Sequence, residues 1–454
     1  MAVTIQNPAS TSPITRAPGA TYALTVLVAI NLVNFFDRQI LGAVGEQIRR
    51  EWGLGDTSLG ALSTAFTLLY AFVGVPLGRL ADHGVRKYIL AAGVFVWSLL
   101  TALSGLTRSF WELFVVRLGV GVGEASCAPA SISLIGDLFS ARQRARATAI
   151  FMLGLPIGLG LSFLVGGAVG QRWGWRTALL VAAAPGLLCA LAALFIREPP
   201  RGMAETHQVG QRRRPGSPYA LVLSIPTLWW IILSGALHNF NMYALGAFLA
   251  PFLVRYHDVS LAKAGLVAMV VYGLSGTVGL LGGGIAADAL YARRKDGRLI
   301  IATAAIAICT PLMYLSLTRP GGDVVGFALL MGSGIGVMYA YYATVYSTIQ
   351  DVVEPALRGT AMSLYFCAMY LAGASLGPIG TGFISDTFTA RAAAAAGVLQ
   401  STAAALEPYR GDGLHAAMHI IPLLAGVLAL VLYAATRTVG KDIEALETWT
   451  KAQR

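Results

Sequence analysis

Long apolar runs dominate the chain, and each is long enough to cross a lipid bilayer as a helix. The 454-residue sequence contains twelve such runs. About 20 helical residues span the roughly 30 Å hydrocarbon layer, where only helices or closed barrels satisfy every backbone polar group. We therefore predict an all-α integral membrane protein with twelve transmembrane helices. The runs are approximately Tyr22–Val44, Leu59–Leu80, Tyr88–Thr107, Trp111–Ile135, Ala147–Gly170, Thr177–Ile196, Thr227–Val254, Ala264–Ala287, Leu299–Leu317, Val324–Ser347, Gly359–Ile384 and His415–Thr436.

The composition excludes soluble enzymes, disordered chains and disulfide scaffolds. The chain is 56% hydrophobic and 12% charged, whereas a typical soluble chain is about 25% charged. Its net charge of +11 comes from basic residues in short loops, where they set membrane orientation, so we expect no nucleic-acid partner. The four cysteines lie singly in apolar runs without the paired spacing of zinc or redox sites. We expect no metal and no cofactor.

The distribution of basic residues predicts the orientation of the chain. An even number of spans places both termini on one side of the membrane, and 21 Lys and Arg residues fall on that side against 10 on the other. Cytoplasmic loops carry the excess of Lys and Arg. We predict a monomeric, multi-pass protein of the inner (cell) membrane with both termini in the cytoplasm. Its predicted parts are an N-terminal arm (1–20), a six-helix bundle (21–197), a cytoplasmic linker (198–226), a second six-helix bundle (227–437) and a cytoplasmic tail (438–454).

The two halves of the sequence repeat each other. G-R-L-A-D at Gly78–Asp82, followed by Arg86 and Lys87, returns 206 residues later as G-I-A-A-D at Gly284–Asp288, followed by Arg293. A parallel repeat of two six-helix halves is typical of a rocking transporter with its site at the midplane. We interpret both motifs as latches of a cytoplasmic gate; the alternative is two ordinary basic loops.

Four ionisable residues are expected deep in the membrane. Asp37 and Arg38 lie within the first run, and Arg117 and Glu124, seven residues apart, project from nearly the same face of the fourth. Their charges sum to zero, which suits a low-dielectric site if Asp37 faces Arg117 and Arg38 faces Glu124. Protonating one carboxylate would leave a positive charge to receive an anionic head group. The alternative is two static salt bridges that hold the helices together.

The second half has no deep Lys, Arg, Asp or Glu in its runs but many polar and aromatic side chains. Such a wall suits an amphipathic or partly apolar ligand. Helix packing is the alternative for each tyrosine, and for His238 the choice is between titration near physiological pH and packing. The candidate cavity residues are Asn34 in the first half and His238, Asn239, Asn241, Tyr243, Tyr342, Tyr346 and Tyr370 in the second.

The duplicated motif and the twelve runs resemble the major facilitator superfamily. Three motifs resemble the Spinster family of sphingolipid and lysolipid transporters: N-F-F-D-R-Q at Asn34–Gln39, R-L-G-V-G-V-G-E-A at Arg117–Ala125 and P-A-S-I-S-L-I-G-D-L-F at Pro129–Phe139. This resemblance implies a lipid-like substrate. Proton-coupled organic-anion symporters share the D-R pair and the R-x-x-x-G-x-x-E-A pattern, which implies the alternative of a small anionic substrate.

Our leading prediction is a secondary transporter that moves an amphipathic organic molecule, lysolipid-like, sphingoid-like or drug-like, by alternating access. Protons acting through Asp37 and Glu124 would drive it. The first alternative is a proton-coupled symporter of a small organic anion. An intramembrane lipid-modifying enzyme would need a histidine or metal constellation, and six scattered histidines disfavour that class. A channel would not need two rocking halves.

The basic-residue asymmetry predicts the labelling pattern of introduced cysteines. In intact cells, a membrane-impermeant maleimide should react with Arg319→Cys but should reach Arg212→Cys only after the membrane is permeabilised. Labelling of position 212 in intact cells would contradict the predicted topology.

Overall fold

The computed structural model describes residues 19–200, 216–354, 357–398 and 402–452, which are overwhelmingly helical. The helices of the first half are Ala20–Trp52, Asp56–His83, Arg86–Ser104, Phe110–Glu124, Cys127–Leu138, Ala141–Met152 and Gly154–Leu194. Those of the second half are Pro218–Leu223, Pro226–Arg255, Leu261–Met269, Ser275–Tyr291, Gly297–Leu317, Val324–Met338, Ala340–Val352, Arg358–Ala368, Leu376–Ala395, Ala403–Leu406, Arg410–Met418 and Ile420–Ala452. Two π-helical turns, Val270–Leu274 and Met369–Ala374, and the 3₁₀ turn Glu407–Tyr409 interrupt the second half.

The described helices form twelve membrane crossings, as the sequence predicts. Eleven helical stretches are long and apolar enough to span a bilayer, and one of them, Arg146–Leu194, has 49 residues. The chain reverses inside this stretch at Gly174, whose φ of 84° and ψ of 163° are readily available only to glycine. The stretch therefore crosses twice. We call the crossings the first to twelfth spans in chain order, with the fifth ending and the sixth beginning at Gly174.

Both ends of the described chain lie on one side of the bundle, which we call the terminal face; the other side is the opposite face. The last helix continues to Ala452, so residues 438–452 extend the twelfth span. Asp442 accepts a hydrogen bond from the Thr227 backbone amide (3.0 Å), and Glu447 pairs with Lys295 (2.8 Å). Residues 1–18 and 201–215, within the predicted arm and linker, lie outside the described residues, and the bounds of the two halves stay predictions.

Large apolar side chains cover the outside of the bundle. Ile285 is 74% exposed, Val325 71% and Leu430 69%. In a soluble protein such a surface would cause aggregation, but in a bilayer these side chains contact lipid.

Three of the spans that start on the opposite face begin with side-chain caps. The Ser109, Ser260 and Asp323 side chains accept backbone N–H groups at the starts of the fourth, eighth and tenth spans. The second span differs, because Gly55 precedes it and provides no side chain. Its first amides are instead capped by Asp386 of the second half, which accepts from the backbone N–H groups of Asp56 and Thr57 at 2.9 and 2.8 Å.

The two halves meet along three pairs of spans: the first with the seventh, the second with the eleventh, and the fifth with the eighth. Glycines permit the close approach. A Cβ on Gly160 would lie 2.7 Å from the Gly273 Cα, and one on Gly265 would lie 2.3 Å from the Phe163 carbonyl oxygen. The hydrogen bonds that we find between described residues of the two halves lie between the middle of the bundle and the opposite face. The halves are therefore joined on the opposite face in this conformation.

Two glycines of the eighth span provide a matched test of this packing. Gly265→Ala should lower the thermal midpoint of the purified protein, because its methyl group would clash with the Phe163 backbone. Gly282→Ala should not lower it, because no atom lies within 4 Å of the added Cβ and alanine favours a helix over glycine by about 0.5–1 kcal/mol. Equal effects of the two substitutions would argue against close packing of the fifth and eighth spans.

Candidate functional site

Arg38, in the middle of the first span, forms the best-defined ion pair of the bundle centre. Its Nε lies 2.8 Å from Oε2 of Glu124 in the fourth span, with the two side chains 4% and 0% exposed. Its Nη1 donates to the Tyr370 hydroxyl of the eleventh span at 3.0 Å. This is the pairing expected from the sequence, and the structure adds a hydrogen bond that reaches the second half.

Aromatic rings surround the Arg38 guanidinium. Its carbon lies 4.5 Å from the ring centre of Tyr70, 5.0 Å from Phe35, 5.8 Å from Phe66 and 5.9 Å from Tyr370. A desolvated cation over such rings gains about 2 kcal/mol. The planar guanidinium is thus held by one carboxylate and by rings from both halves.

The second predicted pair, Asp37 with Arg117, lies farther inside the first half. Arg117 Nη1 is 3.5 Å from Asp37 Oδ1, and Nη2 donates to the Asp37 backbone oxygen at 3.2 Å. Thr101 of the third span donates to Asp37 Oδ2 at 2.6 Å. Asp37 Oδ1 and Arg117 Nε and Nη1 make no hydrogen bond to described residues. This pair is looser than the Arg38–Glu124 pair.

A cavity of about 70 Å³ lies between the halves at the level of Arg38. Both halves contribute to its wall, and Arg38 alone carries a formal charge among the described residues that line it. Glu124 and Asp37 are not part of the wall and are almost inaccessible, with 0% and 1% exposure. The lining residues are Phe35, Arg38, Gln39, Leu155, Leu159, Asn239, Met242, Tyr243, Tyr272, Tyr342, Tyr346, Met369 and Tyr370.

Five of the predicted cavity residues line this wall, namely Asn239, Tyr243, Tyr342, Tyr346 and Tyr370. The other three do not. Asn34 and Asn241 are buried at 2% and 1% exposure, away from the described lining. His238 is also buried, with its ring stacked on Tyr341 at a centroid distance of 3.9 Å. This contact agrees with a packing role for His238.

The predicted latch residues of the first half bind within that half. Arg86 pairs with Asp137 at the end of the fourth span and donates to Glu198 at 2.7 Å. Lys87 Nζ donates to the Leu194 carbonyl at 3.2 Å. The side chain of Asp82 and the surroundings of Gly78 lie outside what the structure describes. The gate role of this motif stays a prediction.

In the second half the structural equivalent of Arg86 is Arg298, whereas the sequence repeat aligned Arg293 with it. Arg298 pairs with Asp351 at the end of the tenth span and with Asp288 at 3.2 Å. Arg293 is exposed. The difference arises because the connection after Asp288 is longer than the one after Asp82, so the start of the ninth span falls later in the motif.

A larger charge network on the opposite face was missed by the sequence analysis. Glu46 of the first span accepts from Arg49 at 2.9 Å, from Arg50 at 2.7 Å and from Arg255 of the seventh span at 2.6 Å. Arg255 also donates to Asp56 at 2.9 Å. The Glu46 side chain is 3% exposed and the Arg255 side chain 4%, so this pair lies in the protein interior.

The network continues into the eleventh and twelfth spans. Arg49 pairs with Glu407 at 2.6 Å, and Arg410 lies 3.4 Å from Asp386 and 3.5 Å from Glu407. In the sequence these arginines serve only as markers of membrane side. Their positions within a few residues of span ends were the one available signal, and that signal does not reveal partners.

Comparison with known proteins agrees with the twelve-span helical fold. Residues 27–378 match the profile described as Major Facilitator Superfamily. The chain belongs to this superfamily. It is 32% identical to "Protein spinster homolog 1" of Rattus norvegicus over 81% of this chain and 73% of that one. It is 27% identical to a "Probable L-galactonate transporter" of Escherichia coli, over 81% and 83% of the two chains.

A solved structure extends the Spinster similarity to three dimensions. It is that of a bacterial homolog to the human lysosomal transporter Spinster, in an inward-facing and unoccupied conformation. The two chains superpose with a TM-score of 0.81 at 27% identity, over 94% of this chain and 99% of the other. The transporter-like arrangement of two six-helix halves follows from this match and from the fold.

The hydrogen bond from Thr101 to Asp37 can be tested against a neighbouring serine. Thr101→Val should destabilise the protein by about 1–2 kcal/mol, because a buried carboxylate loses a donor. Ser98→Ala, one helical turn away, should be nearly neutral, since the Ser98 hydroxyl has no hydrogen-bond partner among described residues. Thermal or denaturant unfolding in detergent measures both. If Ser98→Ala destabilised the protein as much as Thr101→Val, the loss at Thr101 could not be attributed to this hydrogen bond.

Proposed function

We propose that this protein is a proton-coupled secondary transporter that moves an amphipathic organic molecule with an anionic or zwitterionic head group by alternating access. The observation that carries the proposal is the position of Arg38. Among the described residues of the cavity wall it is the charged one, and its carboxylate partner, Glu124, lies behind the wall. Family membership supports transport as the activity.

The proposed coupling follows from charge balance. While Glu124 is ionised, Arg38 is neutralised and the cavity offers little attraction to an anion. When Glu124 takes up a proton, Arg38 keeps its charge but loses its counter-ion, and an anionic head group can replace it. By thermodynamic linkage, a bound anion favours protonation of Glu124 to the same extent.

Glu124 and Asp37 have different positions relative to the cavity, so we assign them different roles in proton coupling. Glu124 acts directly on Arg38, which reaches both the cavity and Tyr370 of the second half. Asp37 contacts Thr101 and Arg117, which belong to the first half and do not line the cavity. We therefore assign the primary proton site to Glu124 and a supporting electrostatic role to Asp37.

The cavity wall favours particular substrates. Tyrosine hydroxyls and the amides of Gln39 and Asn239 offer hydrogen bonds, while Leu155, Leu159 and Met369 offer apolar contacts. The cavity has a volume of about 70 Å³ and is partly open. A polar head group would contact the hydroxyls and amides, and an acyl chain would extend along the apolar side chains. A cationic sphingoid base is disfavoured because it would meet Arg38.

A small organic anion is the second candidate substrate. One relative is named as a probable L-galactonate transporter. The same Arg38–Glu124 chemistry would serve either anion. The two candidates differ in whether the apolar part of the wall contributes to binding.

We further propose that both termini face the cytoplasm of a cell membrane. The excess of basic residues on the terminal face supports this orientation. In that orientation the ion pairs of the opposite face close the outer side, and the present conformation faces inward.

Transport by proteoliposomes under an imposed pH gradient tests the coupling. Glu124→Gln mimics the size of the glutamic acid without titrating, so the variant should fold but lose its response to the gradient. Asp37→Asn should lose less of the response if Glu124 is the primary site. Glu112→Gln, in the same span but outside the cavity, should keep the response. Full pH-driven transport by both Asp37→Asn and Glu124→Gln would refute proton coupling through these residues.

The substrate class can be separated in the same assay. A lysophospholipid, a sugar acid such as galactonate and a sphingoid base should be offered to the parent protein and to Arg38→Lys. We expect transport of the lysophospholipid, and weaker transport by Arg38→Lys because a point charge replaces a planar donor. Transport of galactonate alone would favour the second candidate, and transport of the sphingoid base would contradict an anion-selective cavity.

A further inference from the structure

The ion pairs on the opposite face form a balanced network of eight charges. The first half contributes Glu46, Asp56, Arg49 and Arg50, and the second half contributes Arg255, Arg410, Asp386 and Glu407. Each half therefore carries two acids and two bases. Separating the halves on this face would leave neither half with a net charge.

Most members of the network keep a partner within their own half. Glu46 remains beside Arg49 and Arg50, which are on the same helix. Arg410 remains beside Asp386 and Glu407. For these residues, opening the opposite face exchanges one partner for another or for water. The cost of separating them is accordingly small.

Asp56 and Arg255 have no ion-pair partner of this kind within their own half among the described residues. The hydrogen bonds that the Asp56 side chain makes to described residues come from Arg255 and Ser385, both in the second half. Those of the Arg255 guanidinium go to Glu46 and Asp56, both in the first half. Asp56 is fully buried, so each of the two side chains depends on the other half for its partner.

The same interface also holds the start of the second span. Asp386 caps the amides of Asp56 and Thr57 from across the interface, so separating the halves uncaps this helix. The Asp56–Arg255 ion pair and the Asp386 cap are adjacent, so separating the halves would break both. Closer to the middle of the bundle, Thr64 donates to the Ser375 carbonyl at 2.7 Å. This bond continues the contact of the second and eleventh spans toward the cavity.

We propose that Asp56 and Arg255 are positioning residues that set the equilibrium between closed and open states of the opposite face. The inference rests on the proposed alternating access. In the closed state the two charges are desolvated and satisfy each other; in the open state water satisfies them separately. Removing Arg255 leaves Asp56 buried without its cation only in the closed state. The closed state is thereby penalised relative to the open one.

The two single substitutions should therefore differ. Arg255→Gln removes two ion pairs between the halves and leaves Asp56 uncompensated, so it should raise the ratio of open to closed molecules at least about tenfold. Asp56→Asn should shift the ratio less, because Arg255 still pairs with Glu46. Adding Asp56→Asn to Arg255→Gln should move the ratio back toward closed, because the uncompensated carboxylate is gone. Arg255→Lys should lie between the parent and Arg255→Gln.

Distances between spin labels measure this ratio without substrate or a proton gradient. Labels at Arg172→Cys and Arg319→Cys, both exposed positions, report the separation of the halves on the opposite face once the four native cysteines are replaced. Arg176→Gln is the matched control. It breaks a 2.8 Å ion pair with Glu51 on the same face but within the first half, and should leave the distances unchanged.

Three outcomes would overturn the proposal. One is an unchanged distance distribution in folded Arg255→Gln protein, and another is a double variant that is more open than Arg255→Gln alone. A shift in Arg176→Gln equal to that in Arg255→Gln would also refute it, by showing that any lost ion pair has this effect. Failure of the parent protein to transport any offered substrate would count against the proposed function and leave the distance result intact.

Discussion

Pairing of charges inside a low-dielectric interior is the constraint on which this structure depends. An unpaired ion buried in protein costs several kcal/mol, so each carboxylate must find a cation. At the centre, Arg38 and Arg117 meet Glu124 and Asp37. On the opposite face, a larger set of charges joins the two halves. The central pairs lie within one half, whereas the opposite-face network includes pairs that cross the interface, such as those of Arg255 with Glu46 and Asp56. Under our proposals, the central pairs serve proton and substrate binding and the crossing pairs serve the movement of the halves.

Features that depend on local sequence could be predicted without coordinates. A run of about 20 apolar residues signals a span wherever it occurs, so the twelve crossings were readable, including the two that meet at Gly174. The central ion pairs could also be predicted. Few ionisable residues lie in the apolar runs, so there are few ways to pair each acid with a base. The pairs of Asp37 with Arg117 and of Arg38 with Glu124 followed from that restriction.

Features that depend on contacts between residues far apart in the chain could not be predicted from the sequence. A basic residue near a span end, such as Arg255, looks like a topology signal, and its partners Glu46 and Asp56 are about 200 residues away in the chain. In the eleventh span, the π-helical turn Met369–Ala374 shifts the helical phase. Periodicity therefore could not show that Tyr370 faces Arg38 while Ser375 faces the second span. Nor could it show that His238 and Asn241 turn away from the cavity wall.

The reversal at Gly174 has a mechanical consequence. A single residue joins the fifth span, whose Gly160 and Gly167 pack against the second half, to the sixth. Just after the reversal, Trp175 and Arg176 hold Glu51 at 2.7 and 2.8 Å, which fastens the sixth span to the end of the first. With no loop to absorb displacement, a force on the end of the fifth span is transmitted directly to its neighbours. This corner of the first half should therefore turn as a rigid block, with bending confined to other connections.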